Sequence, residues 1–142
     1  MTRATRSLLL FILPGAAITL GPTLIAGQTG ATSVQYTSPA GVQYRSLPDT
    51  EGVTNARAAL VADPRNVARI IDLGVAQSGA RQFREAIATF TRGLEIEPNN
   101  ALLLRWRGHR YLSIRDFDRA YADLTRGGGI VRTCAIDRAG PG

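Results

Sequence analysis

Two stretches of the sequence decide the fold: NVARIIDLGVAQSGARQFREAIATFTRG at positions 66–93 and NALLLRWRGHRYLSIRDFDRAYADLTRG at positions 100–127. The second follows the first at a shift of thirty-four positions, and nine of the 28 aligned positions are identical. A fixed period of this length predicts an array of stacked structural repeats. The identical pairs are Asn66/Asn100, Gly74/Gly108, Arg81/Arg115, Phe83/Phe117, Ala86/Ala120, Ala88/Ala122, Thr91/Thr125, Arg92/Arg126 and Gly93/Gly127.

Each unit is predicted to contain two helices. In the first unit, apolar residues recur at helical spacing over 67–75 and again over 83–94. Gly79-Ala80 separates these helices, and Pro98-Asn99-Asn100 ends the second helix and caps the next one. The second unit repeats the plan with a turn at Arg115-Asp116. The predicted fold class is all-α, a short α-α superhelix (solenoid) of about two and a half helix-turn-helix repeats.

Small residues are predicted at the contacts between helices. Gly74 and Gly108 fall inside helices, where glycine costs about 1 kcal/mol relative to alanine. Because that cost is tolerable where two backbones approach closely, each glycine is expected to face the second helix of its hairpin. The expected partners are Ala86 and Ala120, with Phe83 and Phe117 filling the base of each hairpin.

The pattern resembles the tetratricopeptide repeat family, whose 34-residue unit has Leu-Gly in its first helix, then an aromatic residue, Ala, a second aromatic residue and a closing Pro. The segment Val53–Asn66 resembles the closing helix of an earlier unit, so the resemblance covers residues 51–127, about half the chain. Ile70, Gln77 and Arg107 depart from the family pattern. The matching residues are Leu73, Gly74, Phe83, Ala86, Phe90 and Pro98 in the first unit, and Gly108, Tyr111, Phe117, Ala120 and Leu124 in the second.

The resemblance implies a concave binding surface formed by the first helix of each unit. Ile71 and Val75 occupy the positions where one subclass of the family carries a Lys-Asn carboxylate clamp, so that clamp is not expected here. Arg105, Trp106 and His109 could together hold an acidic peptide. The preferred interpretation is that the arginines are solvated and Trp106 packs against a neighbouring helix. The candidate partner-binding residues are Ile71, Val75, Leu102, Arg105, Trp106, His109 and Leu112.

The N-terminal half has a different character from the repeats. Residues 1–26 combine Arg3 and Arg6 with an apolar run, which predicts a signal peptide or a membrane anchor. Cleavage would give a periplasmic or extracellular bacterial protein, whereas an intact segment 8–26 would anchor it in the inner membrane. Residues 27–50 are predicted to be a flexible linker or short extended strands, because they are rich in Gly, Ser, Thr and Pro. Within them, VQYTSP at 34–39 is echoed by VQYRSLP at 42–48.

The C-terminal end departs from the repeat pattern. Gly127-Gly128-Gly129 disfavours a helix where the second unit should be finishing, so 128–142 is predicted to be an irregular tail. The tail is interpreted as the product of truncation or a frame shift in a longer array. An open apolar end is then expected after Leu124, and self-association through that end is possible.

Composition excludes several function classes. One cysteine and one histidine rule out an internal disulfide and a metal centre built from these residues. The sequence shows no nucleophile-base pair and no phosphate-binding loop, so neither enzymatic activity nor a cofactor is expected. The resemblance instead implies a protein-protein interaction scaffold outside the cytoplasm, with a protein or peptide ligand. The alternatives are a binder of nucleic acid or anionic surfaces, suggested by the net charge of +6, and a non-functional fragment of a longer repeat protein.

Overall fold

The computed structural model describes residues 32–139, with the side chains described as far as Ile130. A short β-hairpin precedes five helices, each of which packs on the next. The all-α superhelix predicted for the repeat region is therefore confirmed. The elements are β1 (Val34–Thr37), β2 (Gln43–Arg45), α1 (Glu51–Ala62), α2 (Val67–Gly79), α3 (Phe83–Ile96), α4 (Ala101–Ser113) and α5 (Phe117–Ala139).

The period of the sequence recurs in the backbone and its capping bonds. Asn66 and Asn100 cap α2 and α4, each accepting a hydrogen bond from a backbone N–H of the first turn. Arg81 and Arg115 occupy the two turns between paired helices, and both have positive φ, 56° and 64°. The two loops that contain the prolines are also stabilised in the same way. Arg92 donates a hydrogen bond to the carbonyl of Pro64, and Arg126 donates one to the carbonyl of Pro98. The two units therefore share one local design.

The core forms two clusters along the array. In the first, Val53 and Leu60 of α1 pack with Ile70 and Leu73 of α2. The second joins α3 to α4 and contains Ala86, Phe90, Leu94, Leu103 and Leu104. Because α3 packs on α2 as well as on α4, it links the two clusters into a layer that runs through the repeats.

The interior glycines allow close contact, but their partners differ from those expected. A Cβ on Gly74 would lie 2.4 Å from Cε1 of Phe90, and one on Gly108 would lie 2.8 Å from Cγ of Leu124. The large residue one turn beyond each expected alanine therefore fills the space beside the glycine. The expectation that Phe117 fills the base of its hairpin is also wrong, since it is 57% exposed.

The expectation that the last helix ends at its three glycines is wrong. Helix α5 continues through Gly127–Gly129 as far as Ala139. A Cβ on Gly127 would lie 3.3 Å from the carbonyl oxygen of Ala101 and from Cβ of Leu104. Close packing of α5 on α4 therefore accounts for glycine at this position, and tertiary contact overrides its low helix propensity.

Residues 32–50 contain two short strands, which confirms the alternative of short extended strands for this segment over that of a flexible linker. The two echoed sequence segments become the antiparallel strands β1 and β2, in which Tyr36 pairs with Tyr44 and Thr37 with Gln43. The predicted signal or anchor segment, residues 1–26, lies outside the described residues. Within residues 32–139, no helix is both long enough and apolar enough to cross a membrane.

Buried hydrogen bonds from Gln35 dock the hairpin on α3. Gln35 is 1% exposed, and its Oε1 accepts a 2.7 Å hydrogen bond from the backbone N–H of Arg84. Its Nε2 donates to Oε2 of Glu85 at 3.0 Å and to Oγ of Ser33. The N-cap residue of α3, Gln82, makes no side-chain capping bond. Gln35 therefore acts as an N-cap supplied from a distant part of the chain.

Candidate binding surface

Helix α4 presents one face to solvent along its whole length. Leu102, Arg105, His109 and Leu112 recur at helical spacing on this face, and all four are exposed. Leu102 is 42% exposed and Leu112 is 38% exposed, so the stripe combines apolar surface with cationic and imidazole groups. We call these four residues the α4 stripe.

The neighbouring helix α2 extends this surface. Val75 is 37% exposed, and Asp72, one turn earlier, is also exposed. Helices α2 and α4 contact each other directly, and we call their solvent-exposed faces the outer faces. Four of the five predicted residues on these outer faces belong to the α4 stripe, and Val75 is the fifth.

The other two predicted residues lie at the margin of the core. Trp106 is half-buried and stacks on Phe90, with ring centroids 6.5 Å apart and an interplanar angle of 13°. The guanidinium carbon of Arg105 lies 5.8 Å from the centroid of the Trp106 ring. Ile71 is half-buried against the second core cluster, which includes Phe90. Trp106 and Ile71 therefore support the exposed stripe from beneath and offer less surface of their own.

Arg107, which departs from the family pattern, forms a network of polar contacts with Asp123 and Thr91. Its Nε and Nη2 donate to the carboxylate of Asp123 at 2.7 and 2.8 Å, and its Nη1 donates to Oγ1 of Thr91 at 3.1 Å. The hydrogen bond from the Arg107 side chain to Asp123 raises the pKa of Arg107. Sequence reasoning missed this pair, although both residues depart from their counterparts one repeat earlier. The network fixes α4, and with it the α4 stripe, against α3 and α5.

A second surface lies at the edge of the array where the helix pairs turn. A concavity of about 470 Å³, here called the turn groove, lies between the start of α3 and the α4–α5 turn. Asp116 caps α5 and pairs with Arg119 at 3.2 Å. The turn groove is lined by Arg84, Ile114, Arg115, Asp116, Phe117, Asp118 and Arg119.

Arg110 lies close to the turn groove. Its guanidinium carbon is 5.4 Å from the centroid of the Phe83 ring, and Phe83 directly precedes Arg84. Burial lowers the pKa of Arg110. Its Nε is buried and has no hydrogen-bond partner in the described part of the chain.

The chemistry offered by these surfaces is that of binding. The α4 stripe provides apolar contact and charge-assisted donors, and the turn groove provides arginines together with Ile114 and Phe117. In the described residues, no group of three or more His, Cys, Asp and Glu side chains is placed to hold a metal ion.

Solved structures of MamA resemble the chain in fold. MamA AMB-1, in crystal form P212121, is 23% identical and covers 57% of this chain with a TM-score of 0.54, and the match spans 48% of MamA. MamA MSR-1, in crystal form C2, is also 23% identical, with coverages of 58% and 47% and a TM-score of 0.55. The chain therefore spans about half the length of these structures. No family model matches the chain, and no curated protein matches it.

The comparison and the recurring backbone geometry agree on the architecture. MamA has the tetratricopeptide-repeat fold, and the present chain matches it over 57% of its length. Two complete helix pairs and the preceding α1 form a short superhelix with an exposed stripe on α4. The fold of this chain is tetratricopeptide-repeat-like.

Proposed function

We propose that the chain is a protein-interaction scaffold that binds a peptide segment of a partner along the outer faces of α2 and α4. The observation that carries this proposal is the α4 stripe. Its two leucines remain exposed although the opposite side of the same helix is fully packed. Exposed apolar residues aligned with charged ones are typical of a surface that a partner covers.

The chemistry of the stripe favours a peptide with acidic and apolar side chains. Arg105 and His109 stand one turn apart on the stripe, between Leu102 and Leu112. Arginine binds carboxylates through paired donors, and the leucines provide desolvated contact on either side. A repeat array supplies such an extended surface more readily than a deep catalytic pocket, which favours binding over enzymatic activity.

We further propose that the scaffold works outside the cytoplasm. The support is the sequence of residues 1–26, in which two arginines precede an apolar run. A fusion of alkaline phosphatase after residue 50 tests this part, since the enzyme becomes active only after export. Activity that survives replacement of Leu8–Leu13 by polar residues would contradict it.

Cross-linking of the full chain in the periplasm tests the binding surface. Cross-linked partners identified by mass spectrometry from wild type should be lost from the variant Leu102→Ser/Leu112→Ser. The matched control is Val61→Ser, which changes an exposed apolar residue on α1 away from the stripe. Equal capture by wild type and the double variant would contradict the proposed surface.

A specific observation favours self-association as an additional property. Phe117 and Tyr121 of α5 are 57% and 74% exposed, whereas their counterparts Phe83 and Ile87 are half-buried within the array. Exposed apolar side chains of this size on one helix form a face that a second copy of the chain can cover. Sedimentation equilibrium should therefore show association that weakens in Phe117→Ser/Tyr121→Ser. A monomer at all concentrations would contradict it.

A further inference from the structure

We infer that the turn groove binds a run of acidic side chains on a partner protein. The groove shares no residue with the outer faces of α2 and α4, so this inference does not depend on the peptide site proposed above. It is built from two adjacent repeats: Arg84 comes from the first helix pair, and the other lining residues come from the second. A ligand in the groove would therefore contact both repeats.

The charges of the groove are unbalanced. Arg119 and Asp116 already neutralise each other at 3.2 Å. Among the described side chains, neither Arg84 nor Arg115 has a carboxylate partner. The Nε–H of Arg84 donates a hydrogen bond to the backbone carbonyl of Gln35. Asp118 is the one remaining carboxylate of the lining. The groove thus keeps more cationic than anionic groups available to a ligand.

Arg110 strengthens this imbalance from beside the groove. It lies one turn before Ile114 of the lining, and its guanidinium covers Phe83. No carboxylate pairs with it within the described structure, and its buried Nε has no partner. Solvent and salt screen a partly buried charge less than an exposed one, so Arg110 adds positive potential at this edge.

The shape of the groove favours a peptide over a small inorganic anion. Half-buried Ile114 and exposed Phe117 line it together with the arginines, so apolar parts of a peptide find contact there. A concavity of about 470 Å³ falls within the size range of ligand sites and is much larger than one phosphate requires. Arginine forks bind carboxylates through two parallel hydrogen bonds.

Fluorescence anisotropy of the full chain tests the inference with a fluorescein-labelled hexaglutamate peptide, with hexaglutamine as the neutral control. Hexaglutamate should bind more tightly, and Arg84→Gln/Arg115→Asn should weaken its binding at least about tenfold. Asparagine is chosen because it tolerates the positive φ of residue 115. The matched control Arg65→Gln/Arg69→Gln removes the same charge away from the groove and should change the affinity less than about twofold.

Three outcomes of these measurements would overturn the inference, and a fourth comes from the variant Arg105→Gln described below. The first is equal binding of the two peptides. The second is an equal loss of affinity in both double variants, which would show a general charge effect. The third is full competition by inorganic phosphate at the peptide concentration, which would show a site for small anions.

Because Arg84 also contacts Gln35, Arg115→Asn alone is measured too, and it should weaken binding several-fold with an unchanged circular dichroism spectrum. Loss of binding in Arg105→Gln alone would instead place the acidic peptide on the α4 stripe.

Discussion

Arg107 and Asp123 are joined by two hydrogen bonds across α4 and α5, from Nε to Oδ2 at 2.7 Å and from Nη2 to Oδ1 at 2.8 Å. Their counterparts one repeat earlier are Leu73 and Thr89. The second unit therefore carries a mostly buried ion pair at positions where the first has an apolar residue and a neutral polar one. Arg107 also reaches Thr91, so the pair ties α3 to the last two helices.

Removing one partner of this pair should be costly. Asp123→Ala leaves the Arg107 cation with little solvent and no carboxylate, so the free energy of unfolding should fall by about 2–4 kcal/mol. Arg107→Leu/Asp123→Thr copies the first unit and should recover most of that loss. Urea denaturation measures both variants, and a loss below about 0.5 kcal/mol in Asp123→Ala would contradict the structural role of the pair.

The hairpin should depend on Gln35. Gln35→Ala removes the distant cap of α3 and leaves the Arg84 N–H and the Glu85 carboxylate without this partner. We expect a loss of about 1–2 kcal/mol and faster hydrogen exchange at Leu47, whose N–H donates to the Ala80 carbonyl across the docking contact. The matched control is Gln43→Ala, an exposed residue of the same hairpin. Unchanged exchange at Leu47 in Gln35→Ala would show that the hairpin docks by other means.

The continuation of α5 through its glycines is tested by two neighbouring substitutions. A Cβ on Gly128 meets nothing within 4 Å, so Gly128→Ala should stabilise the helix by up to about 1 kcal/mol. A Cβ on Gly127 approaches the backbone of α4, so Gly127→Ala should be neutral or destabilising. Thermal unfolding by circular dichroism compares the two. Equal effects would contradict a packed helix here.

Acid should weaken the contact around Asp49. Hydrogen bonds from Arg57 and from Gln82 lower the pKa of Asp49, which is about 3.9 in an unfolded chain. The stabilisation is therefore complete above that value and is lost as the pH falls through the lower pKa of the folded state. Urea denaturation at about pH 7 and about pH 3 should show a smaller loss of stability in Asp49→Asn than in wild type. An equal loss of stability in the two proteins would contradict this role of Asp49.

The sequence was sufficient to predict the helices because their signals are local. Asn66 and Asn100 cap their own first turns, and the prolines at 64 and 98 precede them at the same interval. The docking of the hairpin was not predicted, and the end of α5 was predicted wrongly, because both depend on distant contacts. Gln35 meets Arg84 across 49 residues, and Gly127 is accommodated by the backbone of α4.

The candidate sites were predictable to different degrees. The α4 stripe follows from helical spacing and from the resemblance to tetratricopeptide repeats, and its role in binding stays a proposal. The interpretation that Trp106 packs against a neighbouring helix is confirmed, but its partner Phe90 could not be predicted because this stacking is a tertiary contact. The turn groove was not predicted, since it forms only when the start of α3 meets the α4–α5 turn.

Hydrogen exchange of the full chain, resolved by residue, tests the repeat architecture most directly. We expect slow exchange in the helices Val67–Gly79, Phe83–Ile96 and Ala101–Ser113, and in α5 from Phe117 onward. Fast exchange is expected in the proline loop at 97–100 and at the turns near Arg81 and Arg115. Corresponding blocks should recur at the interval that separates Asn66 from Asn100 in the sequence. Protection that lacks this interval, or that is confined to one helix pair, would contradict a stacked array.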